Sequence, residues 1–299
     1  MTRSQRLGVA LALNLALVAG QVVFGSIAGS VGLLADAAHN LGDGAAVVIA
    51  LIAVRLSRRP PTPEHSYGYH RATILAALAN AVALLVVTAI IVFEAVPRLS
   101  DPQPVRAGIV VVVALTATAI NLAAAFVLYE KRVDLNMRSA LLHMAADAGA
   151  SLGVAAAGLV ILVTGRFLWL DPAISIAIAV LIALEAWKLV RSAVDVLLEA
   201  TPDDIDLTTL SAAMAGVVGV AGVHDLHVWS LSSGIRALSA HLVIDGRPSL
   251  EHAETIGRAV KAAIRDEFSI AHATLELEIS GPDGTATDCE SDIERHLPG

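Results

Sequence analysis

Long apolar runs, some broken by single ionisable residues, fill the first two hundred positions of the chain. A bilayer core of about 30 Å needs about 20 mostly apolar residues per helix. Residues 7–35 carry no charge, enough for one span and a Gly/Ser-rich turn at 25–32. A second span at 31–54 is interrupted by Asp36, His39 and Asp43. Residues 72–93 and 107–129 are uncharged, and a fifth span, 139–163, is interrupted by His143 and Asp147. The sixth, 168–188, is trimmed by Asp171 and Glu185, with Trp169 and Trp187 at its ends, where an interfacial aromatic belt places them. The pattern predicts six transmembrane helices.

Past residue 201 the period changes. Residues 203–218 read as an amphipathic helix with aspartates in its first turn. Residues 223–231 and 235–244 alternate like strands around Ser232-Ser233-Gly234, a hairpin signal. Residues 249–268 read as a second helix and 274–279 as a strand of period two. The order αββαβ predicts a small α+β domain with its helices on one face of a three-stranded sheet. From 281 onward acidic and small polar residues predict a disordered acidic tail. The expected division is a six-helix transmembrane domain at 1–200, a cytoplasmic α+β domain at 201–280 and the tail at 281–299.

Composition sharpens this. Of 299 residues 56% are apolar, only 16% are charged, and the mean hydropathy is +0.71. Both fractions lie outside the range of ordinary soluble domains. Residues 1–200 hold 14 Lys/Arg and 12 Asp/Glu, whereas 201–299 hold 6 and 16, so the two parts are suited to different solvents. The acidic balance argues against nucleic-acid binding, and the single Cys289 excludes an intramolecular disulfide framework. With the N-terminus inside, eleven Lys/Arg near span ends face the cytoplasm and three (Arg98, Arg106, Arg166) face out, so both termini are expected to be cytoplasmic. The first apolar run is too long for a signal peptide and leads directly into the second span.

The chemistry lies in the two interrupted spans, because ionisable groups inside a bilayer are costly and mark ion paths. One pattern occurs twice: His39-x-x-x-Asp43 and His143-x-x-x-Asp147. Four-residue spacing puts each His and Asp on one helix face. By the count of spans the two helices run antiparallel, which sets His39 level with Asp147 and Asp43 with His143. Two imidazoles and two carboxylates make a four-coordinate site suited to Zn2+, and Co2+ or Cd2+ would fit the same ligands. Asp36 is expected at the entrance or beside the ligands, with a helix-start role as the alternative, and Asn14, Asn80 and Asn121 as interhelical hydrogen-bonding residues. As an intramembrane metalloenzyme the chain lacks a helix-borne catalytic glutamate and an open coordination position. As a membrane metal sensor it lacks a recognisable signalling module after residue 280.

The chain resembles the cation diffusion facilitator family on L-A-D-A-A-H-N-L-G-D (34–43), H-S-Y-G-Y-H-R (65–71), H-M-A-A-D (143–147) and G-V-H-D-L-H-V-W-S-L (222–231). The resemblance implies a homodimeric metal/proton antiporter of the cell (inner or plasma) membrane, not an enzyme, with six spans and a metallochaperone-like cytoplasmic domain. It implies a transport site at His39, Asp43, His143 and Asp147, in the zinc-preferring form. Some members bind a second metal in the loop after the second span. Here His65 matches one ligand, but Thr62 and Tyr69 stand at the others, with His70 adjacent. A third, intersubunit site in the cytoplasmic domain is implied at His224, His241 and His252, with Glu276 where members carry histidine and Glu278 following. His227 is expected on the same side of its strand as His224. The partners implied are divalent metal ions, protons, the lipid bilayer and a second copy of the chain.

Overall fold

The computed structural model describes residues 3–128, 135–232 and 234–279. Side chains at 3–11, 125, 127–128 and 135–143 fall outside that description, as does the tail 281–299 that was expected to be disordered. Six long helices occupy the predicted spans: α1 (Arg3–Ala28), α2 (Val31–Ser57), α3 (Ala72–Ser100), α4 (Ala107–Leu128), α5 (Leu135–Thr164) and α6 (Leu170–Leu197). Among the described residues, five helices are long and apolar enough to cross a membrane, and the described side chains of α1 form an apolar stretch at Ala12–Ala28. α3 and α6 continue well past their apolar runs, because a helix ends where its backbone bonding fails, not where hydropathy falls.

The chain divides into two compact units, Met1–Arg55 with Leu75–Arg191, and Leu56–Ile74 with Ser192–Gly299. In the first, Leu33 and Ala35 of α2, Ile91 and Ala95 of α3, Ala114 of α4, Val154 of α5 and Ala179 of α6 belong to one buried cluster. Lipid tails are as apolar as side chains, so membrane helices associate through close fit, which small residues permit. A Cβ at Gly42 of α2 would run into the Leu84 side chain of α3, so a larger residue there would force Leu84 to shift beside Asp43. The start of α2 is held by side chains from other helices. Asp171 of α6 accepts from the Val31 amide at 2.9 Å and from the Ser30 hydroxyl, while Arg98 of α3 donates to the Gly29 carbonyl at 2.9 Å. A carboxylate there caps orphan N–H groups and suits the positive end of the helix dipole.

The second unit contains α7 (Leu207–Ala215), β1 (Val220–Ser232), β2 (Ile235–Ile244), α8 (Leu250–Phe268) and β3 (Ile270–Ile279). α7 begins later than the predicted 203 because Asp206 caps it, accepting from the Thr209 amide at 2.9 Å; that bond holds the Asp206 carboxyl below its usual range. The strand order is β1-β2-β3, with β1 and β2 antiparallel and β2 and β3 parallel through the α8 crossover. Leu238, Leu242 and Ile244 of β2 pack with Leu210 and Met214 of α7 and with Ile256, Val260 and Ile264 of α8. Alternation along β2 then directs Ser239 and His241 to the opposite face. In the same unit, the Tyr67 ring meets His272 edge-on at a centroid distance of 5.6 Å, and Arg71 pairs with Glu199 at 2.6 Å.

Candidate metal centres

α2 and α5 meet along their polar faces. His39 Nε2 lies 3.0 Å from Asp147 Oδ1 and 3.8 Å from Asp43 Oδ2. One donor atom from each of His39, Asp43 and Asp147 lies within 4.8 Å of the others. One turn away, the Ser151 hydroxyl donates to Asp36 Oδ2 at 2.7 Å. The pairs 36/151 and 39/147 run in opposite senses along the two helices, which is antiparallel packing. The His143 side chain lies outside the described residues. Asp147 is buried, whereas the Asp43 side chain is 33% exposed, leaving the group open on the Asp43 side.

Asp36 is fully buried in a polar network that sequence reading anticipated only in part. Its Oδ2 also accepts from Gln21 Nε2 of α1 at 2.6 Å. Asn40 Nδ2 donates to Gln21 Oε1 at 3.3 Å, and Asn14 Nδ2 donates to the Asn40 carbonyl at 2.9 Å, an interhelical bond of the kind expected for Asn14. Asn80 and Asn121 are buried, and the Asn121 amide nitrogen has no partner among the described residues. Gln21 and Ser151 were not anticipated. The available signal for Ser151 was its position four residues beyond Asp147, which extends the polar face of α5 by one turn.

The second cluster lies on the sheet face opposite α7 and α8. His224 and His241 are paired across β1 and β2, with ring centroids 5.1 Å apart. The Glu278 carboxylate of β3 spans them, at 3.0 Å from His224 Nε2 and 2.7 Å from His241 Nδ1. Burial acts to raise the Glu278 carboxyl, but the bonds and charge of the two histidines outweigh it and hold it below its ordinary value. Glu276 is farther out, 3.6 Å from the other His241 nitrogen, which also faces Asp225 at 3.5 Å. His252 is exposed in the first turn of α8 and is not part of the three-residue group. His65 is exposed, stacks on Tyr69 at 4.5 Å, and joins no group of three metal-ligating side chains among the described residues.

His227 shares the face of His224, as expected, for a reason alternation does not supply. They are three positions apart, which by strict alternation means opposite faces. A bulge between His224 and His227 adds one residue to β1, so they pair with His241 and Ser239, two apart on β2. Asp225 provides it with a left-handed backbone (φ 49°), and its carboxylate lies 3.0 Å from His227 Nε2. Imidazole nitrogens mixed with carboxylate oxygens, as in both clusters, form a donor set for borderline divalent ions such as Zn2+.

The chain matches the family model for the cation efflux transmembrane domain over residues 7–198 and that for the cation efflux protein cytoplasmic domain over residues 202–280. It is 36% identical over 271 residues to the zinc transporter ZitB of Escherichia coli, covering 88% of this chain and 84% of that one. It is 31% identical over 292 residues to the cadmium, cobalt and zinc/H(+)-K(+) antiporter of Bacillus velezensis (95% and 93% covered). It is 36% identical over 277 residues to the metal cation efflux system protein CzcD of Cupriavidus metallidurans (92% and 86% covered).

Proposed function

Because the chain belongs to the cation diffusion facilitator family, and so is a multi-pass membrane transporter for metal cations and not an enzyme, we propose that it exports Zn2+ in exchange for protons through His39, Asp43, His143 and Asp147. The observation that carries this reading is the convergence of His39, Asp43 and Asp147 from two helices in the interior of the transmembrane unit. Imidazole must be neutral and carboxylate ionised to hold a metal, so loading the site expels protons. Facing the cytoplasm, the site takes up Zn2+ and loses protons; facing outward, it takes protons back and releases the ion. Alternating exposure thereby uses the inward proton gradient to move metal out. The Lys/Arg distribution supports cytoplasmic termini, and the multi-pass metal-transporter family supports the cell membrane as its place. Relatives named for cadmium and cobalt support those ions as further substrates.

The cytoplasmic domain extends the reading. A domain of about 80 residues has a limited core, and a partner surface adds stability that it lacks alone. A dimer through this domain, tightened by Zn2+ at His224, His241 and Glu278, with Glu276 as a supplementary ligand, would couple transport to cytoplasmic zinc. The loop histidine His65, with no group of ligands around it among the described residues, is left out of the transport cycle. The test is uptake of radioactive zinc into inverted vesicles, with and without an imposed proton gradient and with Cd2+ and Co2+ as competitors. Gradient-driven uptake supports antiport, and absence of uptake overturns it.

A further inference from the structure

We propose that the Asp36–Ser151 hydrogen bond is the spacer that sets the distance between α2 and α5 at the transport site, making Asp36 and Ser151 positioning residues for ion affinity and selectivity. This inference rests on the reading of His39, Asp43, His143 and Asp147 as that site.

Two described side-chain bonds join the helices in this region, and they differ in what happens when an ion arrives. His39 and Asp147 are 3.0 Å apart and bonded to each other. An ion held by both must replace that bond, and two ligand atoms on a tetrahedral ion with bonds of about 2.0 Å stand about 3.3 Å apart. The helices therefore need to part by only a few tenths of an ångström. The Ser151–Asp36 bond, 2.7 Å long, is one turn away and involves neither of those ligands, so it persists while the ion is bound. It limits how far the helices separate, and hence how large an ion is held.

The anchor is itself fixed. Asp36 Oδ2 accepts from Gln21 of α1 as well as from Ser151, so the carboxylate cannot swing without breaking two bonds. Its Oδ1 is buried with no hydrogen-bond partner among the described residues. Leaving a carboxylate oxygen buried and unbonded is costly.

The experiment measures initial rates for Zn2+ and Cd2+ over a concentration series, using the full-length protein in proteoliposomes. Ser151→Ala is expected to raise KM for Zn2+ roughly tenfold, the size of a lost hydrogen bond to a charged group, with maximal rate little changed. It should also lower the preference for Zn2+ over the larger Cd2+. Ser151→Thr, which keeps the hydroxyl, should restore both. Unchanged KM and preference in Ser151→Ala, or a fall in maximal rate alone, overturns the proposal. If Ser151→Ala fails to accumulate, Asp36→Ala, which removes the acceptor of both bonds, is judged by the same criteria. Asp147→Ala, run in parallel, separates the two readings: surviving zinc flux there overturns the transport site itself, whereas a wild-type Ser151→Ala beside an inactive Asp147→Ala overturns only the spacer.

Discussion

His39 and Asp147, 108 positions apart in the chain, are bonded at 3.0 Å, and this contact brings the two H-x-x-x-D motifs together. Asp147 is buried and would contribute both a ligand and a negative charge. Asp147→Ala should reduce zinc flux to that of empty vesicles while the protein still inserts and accumulates. Transport at the wild-type rate would remove Asp147 from the site.

His39→Asp exchanges an imidazole for a carboxylate, and carboxylate oxygens favour harder ions than imidazole nitrogen does. The variant should transport Mn2+ better relative to Zn2+. Competition between the two ions in the flux assay checks this, and an unchanged ratio would mean that His39 does not select the ion.

Asp225 tests the bulge independently of transport. A non-glycine residue with φ 49° is strained, most severely if β-branched. Asp225→Val should destabilise the cytoplasmic domain by about 1–3 kcal/mol, whereas Asp225→Gly should keep the fold and remove only the carboxylate beside His227. Denaturant midpoints of the two variants should separate accordingly; equal midpoints would mean the bulge carries no strain.

Glu278 sets a pH dependence whose sign follows from its lowered carboxyl. In the folded domain it sits below its ordinary value of 4.5, so the unfolded chain takes up that proton first. The stabilisation is complete above 4.5 and is lost as pH falls through the folded value. Melting temperature should therefore drop more steeply on acidification in the wild type than in Glu278→Gln. Parallel curves would show that the carboxylate adds nothing to stability.

The sequence made the cluster of His39, Asp43 and Asp147 legible because charge is so costly in a bilayer that each ionisable residue in a span is informative. The same reasoning could not find Gln21. A single amide in an uncharged run does not reveal which helix it faces, and its role depends on Asp36 lying opposite. Helix ends were read poorly for a different reason: α6 stays helical to Leu197, well beyond the apolar stretch that ends near Lys188. In the cytoplasmic domain, alternation located β2 to the residue but missed the first four residues of β3 and the bulge in β1. The bulge depends on one backbone torsion at Asp225, which leaves no periodic trace.

The two partners of Asp36 become available at different times. Gln21 is 15 residues away on the preceding helix, whereas Ser151 is 115 residues away, beyond two more helices. A chain made from its N-terminus must place the carboxylate of α2 in the membrane long before α5 exists. During that interval the α1–α2 hairpin can supply its own hydrogen-bond donor from Gln21, so the pair can be inserted together without a bare carboxylate. Gln21 therefore serves the nascent hairpin during assembly as well as the finished bundle.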